Sequence, residues 1–215
     1  KVILHLIFFN AILLANQPNI FINEFLASNA SVNFDPDFYS FFDWIEIYNS
    51  EDTTVNIGGF YITDDLSNPS KYQIPINYAI EPNGFSIIWA NGKNLFPGDS
   101  VVNPEPSSLT TYVNSLHSNF KLNKYQEEIA LFNTDGVLVD SITYQNQITD
   151  ISFGRSPDGS GSFFFFGDPT PLGPNSVLGF QDTTRSLNPQ FSHLGGAYNQ
   201  SLSITLLSQN LSSSI

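Results

Sequence analysis

Short runs in which apolar and polar residues alternate dominate this chain, and turn residues end each of them. The clearest runs are residues 43–49 (Asp-Trp-Ile-Glu-Ile-Tyr-Asn) and residues 58–65 (Gly-Gly-Phe-Tyr-Ile-Thr-Asp-Asp). A period of two is typical of a strand with one buried face. No window of helical length shows a sustained apolar period of 3.6 residues. We therefore predict an all-β fold.

Eleven such runs predict strands, which cover residues 20–27, 44–49, 55–57, 60–63, 72–74, 85–90, 118–122, 128–133, 137–144, 152–155 and 163–166. Turn residues lie between them, and Asp135-Gly136 marks the clearest hairpin. Residues 91–116 are rich in Pro, Ser and Asn and predict a long irregular insertion, a type of loop that is often functional or mobile. Many short strands at this spacing predict a β-sandwich or a partly closed barrel.

The chain is strongly acidic, and its acidic residues are unevenly spaced. Asp and Glu number 20 against 7 Lys and Arg, for a formal net charge of −13. No Lys or Arg lies between Lys1 and Lys71. Such a surface argues against nucleic-acid binding through a basic face. It indicates either the solvated surface of an extracellular protein or carboxylates that collect a cation. The absence of cysteine excludes disulfides, thiolate metal sites and cysteine nucleophiles.

Residues 2–15 form an apolar run that follows Lys1 and precedes polar residues. The run is interrupted by His5 and Asn10 and is too short to span about 30 Å of hydrocarbon as a helix. It predicts a secretory signal remnant at residues 1–17, and hence an extracellular or cell-surface location. The alternative is a buried N-terminal strand or helix. No other segment predicts a membrane span.

The composition changes after Phe166 and suggests how the chain is divided. Residues 168–175 (Asp-Pro-Thr-Pro-Leu-Gly-Pro-Asn) cannot hold a central strand and predict the end of a domain. We predict a sandwich domain at residues 18–175, a linker at 176–187 and the truncated start of a second β module at 188–215. Alternation at residues 202–206 supports the last of these.

Eight blocks of sequence, in order, resemble the bacterial form of the lamin tail domain. They are residues 22–29, 43–49, 59–65, 82–90, 116–122, 128–131, 136–141 and 153–159. The resemblance implies an immunoglobulin-like β-sandwich. It also implies an accessory module of an exported or cell-surface protein, in a family with no established catalytic residues. Residues 189–198 are similar to the start of a small β module at the C-terminus of chitobiases and hexosaminidases.

The loop at residues 35–43 (Asp-Pro-Asp-Phe-Tyr-Ser-Phe-Phe-Asp) carries three carboxylates and four aromatic rings. Its aromatic residues predict a binding surface made of Phe38, Tyr39, Phe41 and Phe42. Hard oxygen ligands on a loop suit Ca²⁺, although the EF-hand spacing is absent. The calcium ligands predicted are Asp35, Asp37, Asp43, Asp64 and Asp65, and no other cofactor is expected. The alternative is a solvated acidic loop whose aromatic residues cover the edge of the sandwich.

Several other residues are interpreted structurally. Trp44 and Trp89 lie in alternating strands and are predicted to be core residues rather than sugar-stacking platforms. Glu46 is expected to face solvent or an adjoining polar network. His117 and the other two histidines lie far apart in sequence, which argues against a zinc site. Two of the phenylalanines at 163–166 need cover from the sandwich rim, the downstream module or another protein.

No nucleophile–base pair or nucleotide motif is present, so we expect this chain not to be an enzyme. The leading hypothesis is a non-catalytic interaction or scaffold module of an exported bacterial protein. Its partner would be a protein, an extracellular polymer or glycan, or a neighbouring domain. The alternative is a targeting or substrate-binding module of a larger secreted enzyme whose catalytic domain lies beyond Ile215. A third hypothesis is catalysis by the acidic loop itself.

Overall fold

The computed structural model describes residues 17–102, 110–175 and 179, together with two short strands at 190–191 and 206–207. Within these residues every helix-or-strand element is a strand, as predicted. The chain divides into two compact units, Lys1–Phe180 and Gln181–Ile215. No helix in the described part is long and apolar enough to cross a membrane. Most of the predicted signal, of the predicted linker and of the predicted second module lies outside the described residues.

Sixteen strands make up the described structure. They are β1 (Ile20–Leu26), β2 (Trp44–Asn49), β3 (Val55–Asn56), β4 (Tyr61–Thr63), β5 (Tyr72–Gln73), β6 (Ala79–Ile80), β7 (Phe85–Trp89), β8 (Ser100–Val102), β9 (Thr110–Tyr112), β10 (Leu116–His117), β11 (Glu127–Phe132), β12 (Leu138–Tyr144), β13 (Ser152–Arg155), β14 (Phe163–Phe166), β15 (Gln190–Phe191) and β16 (Leu206–Leu207).

Two main sheets form the first unit. The larger has six strands in the order β10-β7-β2-β1-β13-β14, and the smaller has four in the order β12-β11-β4-β5. Neighbouring strands are antiparallel, except that β10 runs parallel to β7. Two small antiparallel pairs, β3–β6 and β8–β9, accompany the sheets. The second unit contains the antiparallel pair β15–β16.

The two sheets pack face to face because alternate side chains of both point inward. Ile22 and Ile45 of the larger sheet and Ile62 and Ile129 of the smaller one are fully buried in one apolar cluster. The ring of Phe25 joins the layers through Tyr144, with 4.6 Å between centroids. Burial of this surface, at about 25 cal/mol per Å², is the main stabilising term. The β-sandwich prediction is therefore confirmed.

A bulge in β1 sets which of its residues face the core. Ile22 lies opposite Ile47, whereas Glu24 lies opposite Glu46, so the register shifts at the residue between them. The extra residue lets both Ile22 and Phe25 enter the core, although three positions separate them. Glu24 and Glu46 are consequently paired on the outer face of the larger sheet.

That outer face has an apolar cluster of its own. Leu26, Trp44 and Trp89 are buried together there, with Val32 and Phe42 packed against them. Trp44 is 0% exposed and Trp89 is 3% exposed. The prediction that both tryptophans are core residues is confirmed.

The strand predictions hold best where alternation is strong and fail where pairing is short. β2, β13 and β14 have the predicted bounds. The strand predicted at 118–122 is wrong, because Ser118 Oγ closes a turn on the carbonyl of Phe120 and the pairing falls instead on β10. β6 was not predicted, and β8 and β9 lie in the insertion that was predicted to be irregular.

The phenylalanines of β14 face both sides of the sheet. Phe165 packs on Phe153 on the core side, with ring centroids 4.6 Å apart. Phe166 is 2% exposed on the other side. A Cβ placed on Gly179 would lie 2.5 Å from Cβ of Phe164 and 2.8 Å from Cε1 of Phe166, so the backbone passes directly over them. The cover for this side comes from the chain itself.

Candidate functional site

The loop between β1 and β2, where binding was predicted, is closed on itself and docked on the end of the insertion. The Asp35 N–H donates to the carbonyl of Ser40 at 2.8 Å. Asp37 then connects the loop to residues 114–117, some 80 positions later. Two segments predicted separately, the acidic loop and the insertion, therefore form one surface.

Asp37 is the centre of that connection. Its Oδ1 accepts from the N–H and Nδ2 of Asn114, each at 3.0 Å. Its Oδ2 accepts from the Ser115 N–H at 2.9 Å and from His117 Nε2 at 3.1 Å. Burial raises the pKa of Asp37, but the hydrogen bonds from His117 and Asn114 outweigh it and leave the pKa below its ordinary value. The charged form of this carboxylate therefore holds the loop in place.

The hydrogen bonds around His117 determine its tautomer. Asn91 Oδ1 accepts from the Lys93 N–H at 3.1 Å, which leaves Asn91 Nδ2 to donate to His117 Nδ1 at 2.8 Å. The proton of the imidazole is then on Nε2, where it is donated to Asp37. His117 is fully buried, and both of its ring nitrogens are occupied by protein groups.

Asp35 completes this cluster, and one of its oxygens has no partner. Oδ1 accepts from the Asp37 N–H at 2.9 Å. Oδ2 is buried without a hydrogen bond and lies 3.8 Å from His117 Nδ1. Burial raises the pKa of Asp35 above its ordinary value. Within the described part of the chain, Asp35, Asp37 and His117 are the group whose ligand atoms, all within 4.8 Å of one another, could share a metal ion.

The other predicted calcium ligands lie elsewhere. Asp43 accepts from the Asn29 N–H at 2.8 Å, and burial raises its pKa to about 6. Asp64 forms an ion pair with Lys71. Asp65 accepts from the Ser67 N–H and hydroxyl in a turn. The structure thus brings Asp35 and Asp37 together, with His117 as an unforeseen third member, and Ca²⁺, which takes six to eight oxygens, would have Asp35 Oδ2 as its one free ligand atom there.

The predicted aromatic residues fall into two pairs. Phe38 and Phe42 are half-buried: Phe38 lies edge-on to His117 at 5.0 Å, and Phe42 packs on the tryptophan cluster. Tyr39 and Phe41 are exposed, at 76% and 41%. The first pair anchors the loop, and the second faces solvent.

Phe34, which the sequence did not single out, joins the exposed pair. It is 45% exposed, and its ring lies 5.7 Å from that of Tyr39 and 5.7 Å from that of Phe41. We call Phe34, Tyr39 and Phe41 the aromatic patch. Tyr39 has a positive φ of 52°, which is uncommon for a bulky residue and costs about 1–3 kcal/mol. The docked loop therefore holds this ring in a conformation that a free loop would leave.

Beside the patch is a cleft of about 200 Å³ that we call the tyrosine cleft. It is lined by Pro36, Asp37, Tyr39, Thr111, Tyr112 and Asn114. Tyr112, at the end of β9, is 67% exposed. No sequence signal indicated Tyr112, because the whole insertion was predicted to be irregular.

A second group of carboxylates, which we call the carboxylate network, lies under residues 168–175. It consists of Glu24, Glu46 and Asp158, of which the two glutamates are fully buried. Glu46 accepts from Asn23 Nδ2 at 3.1 Å and from the Leu172 N–H at 2.5 Å. This is the polar network that was one of the two expectations for Glu46.

The remaining members of the network are also satisfied by neutral donors. Glu24 accepts from the Ser152 hydroxyl and from the N–H and Oγ1 of Thr170. Asp158 Oδ1 accepts from Asn23 Nδ2 at 2.9 Å and from the Asn175 N–H at 3.0 Å. No Lys, Arg or His of the described residues pairs with these carboxylates. Burial raises the pKa of Glu46 to about 9 and also raises that of Glu24.

These bonds give residues 168–175, the strap, a fixed place on the outer face. Gly154 makes this possible, because a Cβ there would lie 2.8 Å from Asn175 Nδ2 and 2.9 Å from the Asn23 carbonyl. Glu24 and Glu46 are closed to solvent, so these two carboxyl groups serve to attach the strap and are not presented to a substrate.

A comparison with models of protein families finds a match. The model of the Lamin Tail Domain family matches residues 14–146, which is more than half of the chain. A comparison with curated proteins finds no match. The similarity of residues 189–198 to a chitobiase module is not supported by a family match and stays a prediction.

Proposed function

The chain belongs to the lamin tail domain family, and from that premise we propose that it is a non-catalytic binding module of an exported bacterial protein. Folds of this immunoglobulin-like type carry their function in sites built on loops. The loop between β1 and β2 is the best candidate, because it exposes three neighbouring aromatic rings on a fixed base. Large exposed apolar side chains that cluster are typical of interaction surfaces.

The observation that carries the proposal is the attachment of the aromatic patch. Asp37 accepts hydrogen bonds from Asn114, Ser115 and His117, and Phe38 and Phe42 are packed beneath the loop. A partner would thus meet rings that are already ordered, and pre-ordering lowers the entropic cost of binding.

Catalysis by the acidic loop finds no support in its geometry. Asp35 is fully buried, and the side chain of Asp37 is 2% exposed with all of its hydrogen-bonding partners inside the protein. A general acid or base has to come within hydrogen-bond reach of its substrate. We therefore favour binding over catalysis for this loop.

A second candidate is the targeting or substrate-binding module of a larger secreted enzyme. It is favoured by the separate compact unit at Gln181–Ile215, where β15 pairs with β16. In that case the same aromatic patch would bring a catalytic domain to its polymer.

Export is the part of the proposal that rests on residues 1–17. Fusing these residues to a reporter enzyme in a bacterial host should place the reporter outside the cytoplasm. Substituting Asp for Leu at positions 4 and 6 should keep it inside, because a charge in the apolar centre of a signal opposes translocation. A reporter that remains cytoplasmic with the unchanged segment would refute export through this segment.

Binding is tested with the full chain against a panel of purified cell-wall polymers, neutral polysaccharides and extracellular proteins. Replacing Phe34, Tyr39 and Phe41 by Ala should reduce binding at least tenfold, whereas Tyr125→Ala, at a 63% exposed ring outside the patch, should not. Hydrolysis products of each panel member are assayed in parallel. A chain that binds no member of the panel, or that hydrolyses one, contradicts the proposal.

A further inference from the structure

We infer that the tyrosine cleft binds a ring of a neutral polysaccharide against Tyr39 and Tyr112. This inference rests on the proposed binding function and gives it a ligand class. Three features of the cleft lead to it: the two rings, the absence of an available charge, and the size.

The two tyrosines come from different segments and line the same cleft. Both are more than two-thirds exposed, which is unusual for side chains of this size. The π-face of an aromatic ring is negative and attracts the slightly positive C–H bonds on the flat side of a pyranose. Tyrosine offers such a face with only two side-chain torsions to immobilise. The cleft is therefore suited to a flat ligand with aliphatic C–H groups.

The described residues of the cleft offer a ligand no free charged group. Among them there is no Lys, Arg or His, and the carboxylate is that of Asp37. Both Asp37 oxygens are engaged by Asn114, Ser115 and His117. A cationic ligand would find no available counter-charge there, and a net charge of −13 repels anionic polymers. A neutral ligand rich in hydroxyl groups is the class that remains.

The size of the cleft limits how much of such a ligand it takes. At about 200 Å³ it is smaller than the roughly 300–1,000 Å³ typical of pockets for drug-sized molecules. It therefore accommodates one sugar ring rather than an oligosaccharide. The neighbouring rings of the aromatic patch, at Phe34 and Phe41, extend the surface for adjacent sugars of the same chain.

The experiment uses the full chain with microcrystalline cellulose and chitin in pull-down assays, and with cellohexaose and chitohexaose by calorimetry. We expect binding to at least one of the two polymers. Tyr39→Ala and Tyr112→Ala should each weaken it about tenfold or more. Tyr39→Phe and Tyr112→Phe should keep it within about threefold, because they retain the ring. Tyr125→Ala is the matched exposed control and should bind like the unchanged chain.

Outcomes separate this inference from the proposed function. Binding to proteins of the panel but to neither polysaccharide overturns the glycan inference and leaves the binding module in place. Polysaccharide binding that survives both alanine variants, or that Tyr125→Ala also abolishes, overturns the assignment to the tyrosine cleft. A chain that binds no polysaccharide and no protein of the panel overturns both the glycan inference and the proposed binding function. Circular dichroism of each variant confirms that the loop substitutions leave the sandwich folded.

Discussion

The molecule has two largely buried acidic regions: the carboxylate network under the strap, and the cluster of Asp35, Asp37 and His117. They differ in the hydrogen-bond donors that surround their carboxylates. The network of Glu24, Glu46 and Asp158 has only amide and hydroxyl donors. In the cluster, Asp37 gathers donors from three residues, one of them a histidine. The first holds a strap on the outer face, and the second holds a loop.

Glu46 of the network and Asp37 of the cluster consequently have opposite pKa directions. Burial raises the pKa of Glu46 to about 9, since its hydrogen bonds do not compensate for lost hydration. Burial also raises that of Asp37, but the donors from His117, Asn114 and Ser115 stabilise the charged form more and bring the pKa below its ordinary value. The hydrogen bonds to the charged form thus outweigh burial at Asp37 and do not outweigh it at Glu46.

The largest effect is expected for His117→Ala. It removes a donor to a buried carboxylate and leaves a cavity beside Asp35, so the free energy of unfolding should fall by about 3 kcal/mol. Urea denaturation at pH 7 measures this. Asn114→Ala is the control, because it removes a more exposed donor and should cost less than about 1 kcal/mol. Equal small losses for both variants would show that the cluster does not hold the loop.

The next effect is the response of the unchanged chain to alkali. The pKa of Glu46 rises from 4.5 to about 9 on folding, so the folded state binds the extra proton. The contribution of Glu46 to the free energy of unfolding is fully present below pH 4.5. It is lost as the pH rises toward 9, with a slope of at most about 1.4 kcal/mol per pH unit. The urea midpoint should therefore fall between pH 7 and pH 9. A midpoint that is constant or rises over this range would contradict the protonated network.

A smaller effect is expected for Glu46→Gln at pH 7. An amide is uncharged like the protonated carboxyl, but its single oxygen can accept from only one of Asn23 and Leu172, which bond different oxygens of Glu46. The free energy of unfolding should therefore fall by about 1–2 kcal/mol. The stability of the variant should also fall much less between pH 7 and pH 9 than that of the unchanged chain. Glu81→Gln, at an exposed carboxylate, should leave that decline unchanged. If the stability of Glu46→Gln still falls over this pH range, another titratable group causes the decline.

The smallest effect concerns calcium, for which Asp35 and Asp37 are the predicted ligands that the structure brings together. Because one oxygen, Asp35 Oδ2, lacks a hydrogen bond, we expect millimolar Ca²⁺ to bind weakly and to raise the melting temperature by about 1–3 °C. EDTA should reverse the rise, and Asp35→Asn should abolish it. A melting temperature that neither Ca²⁺ nor EDTA changes would refute the calcium prediction.

What could be predicted of this fold came from local patterns. The alternation of apolar and polar residues predicted the bounds of β2, β13 and β14 and the burial of both tryptophans. It could do so because the residues that face the buried side of a strand follow from the local sequence alone. The pairing of His117 with Asp37 could not be predicted in this way, since 80 positions separate them. Tyr112 was missed for a similar reason, because β9 is three residues long and pairs only with β8.

The order of apolar, turn and acidic residues along the chain is enough to identify the family and the sandwich, and it singled out the loop that we propose for binding. The roles of the acidic residues depend on the folded structure. Glu46 is buried because the strap closes over it. Asp35 and Asp37 are grouped with His117, and not with Asp43, Asp64 and Asp65, because the partners of Asp37 come from residues 114–117. Burial and hydrogen bonding of a charge are set by groups that are distant in sequence, and no local pattern records them.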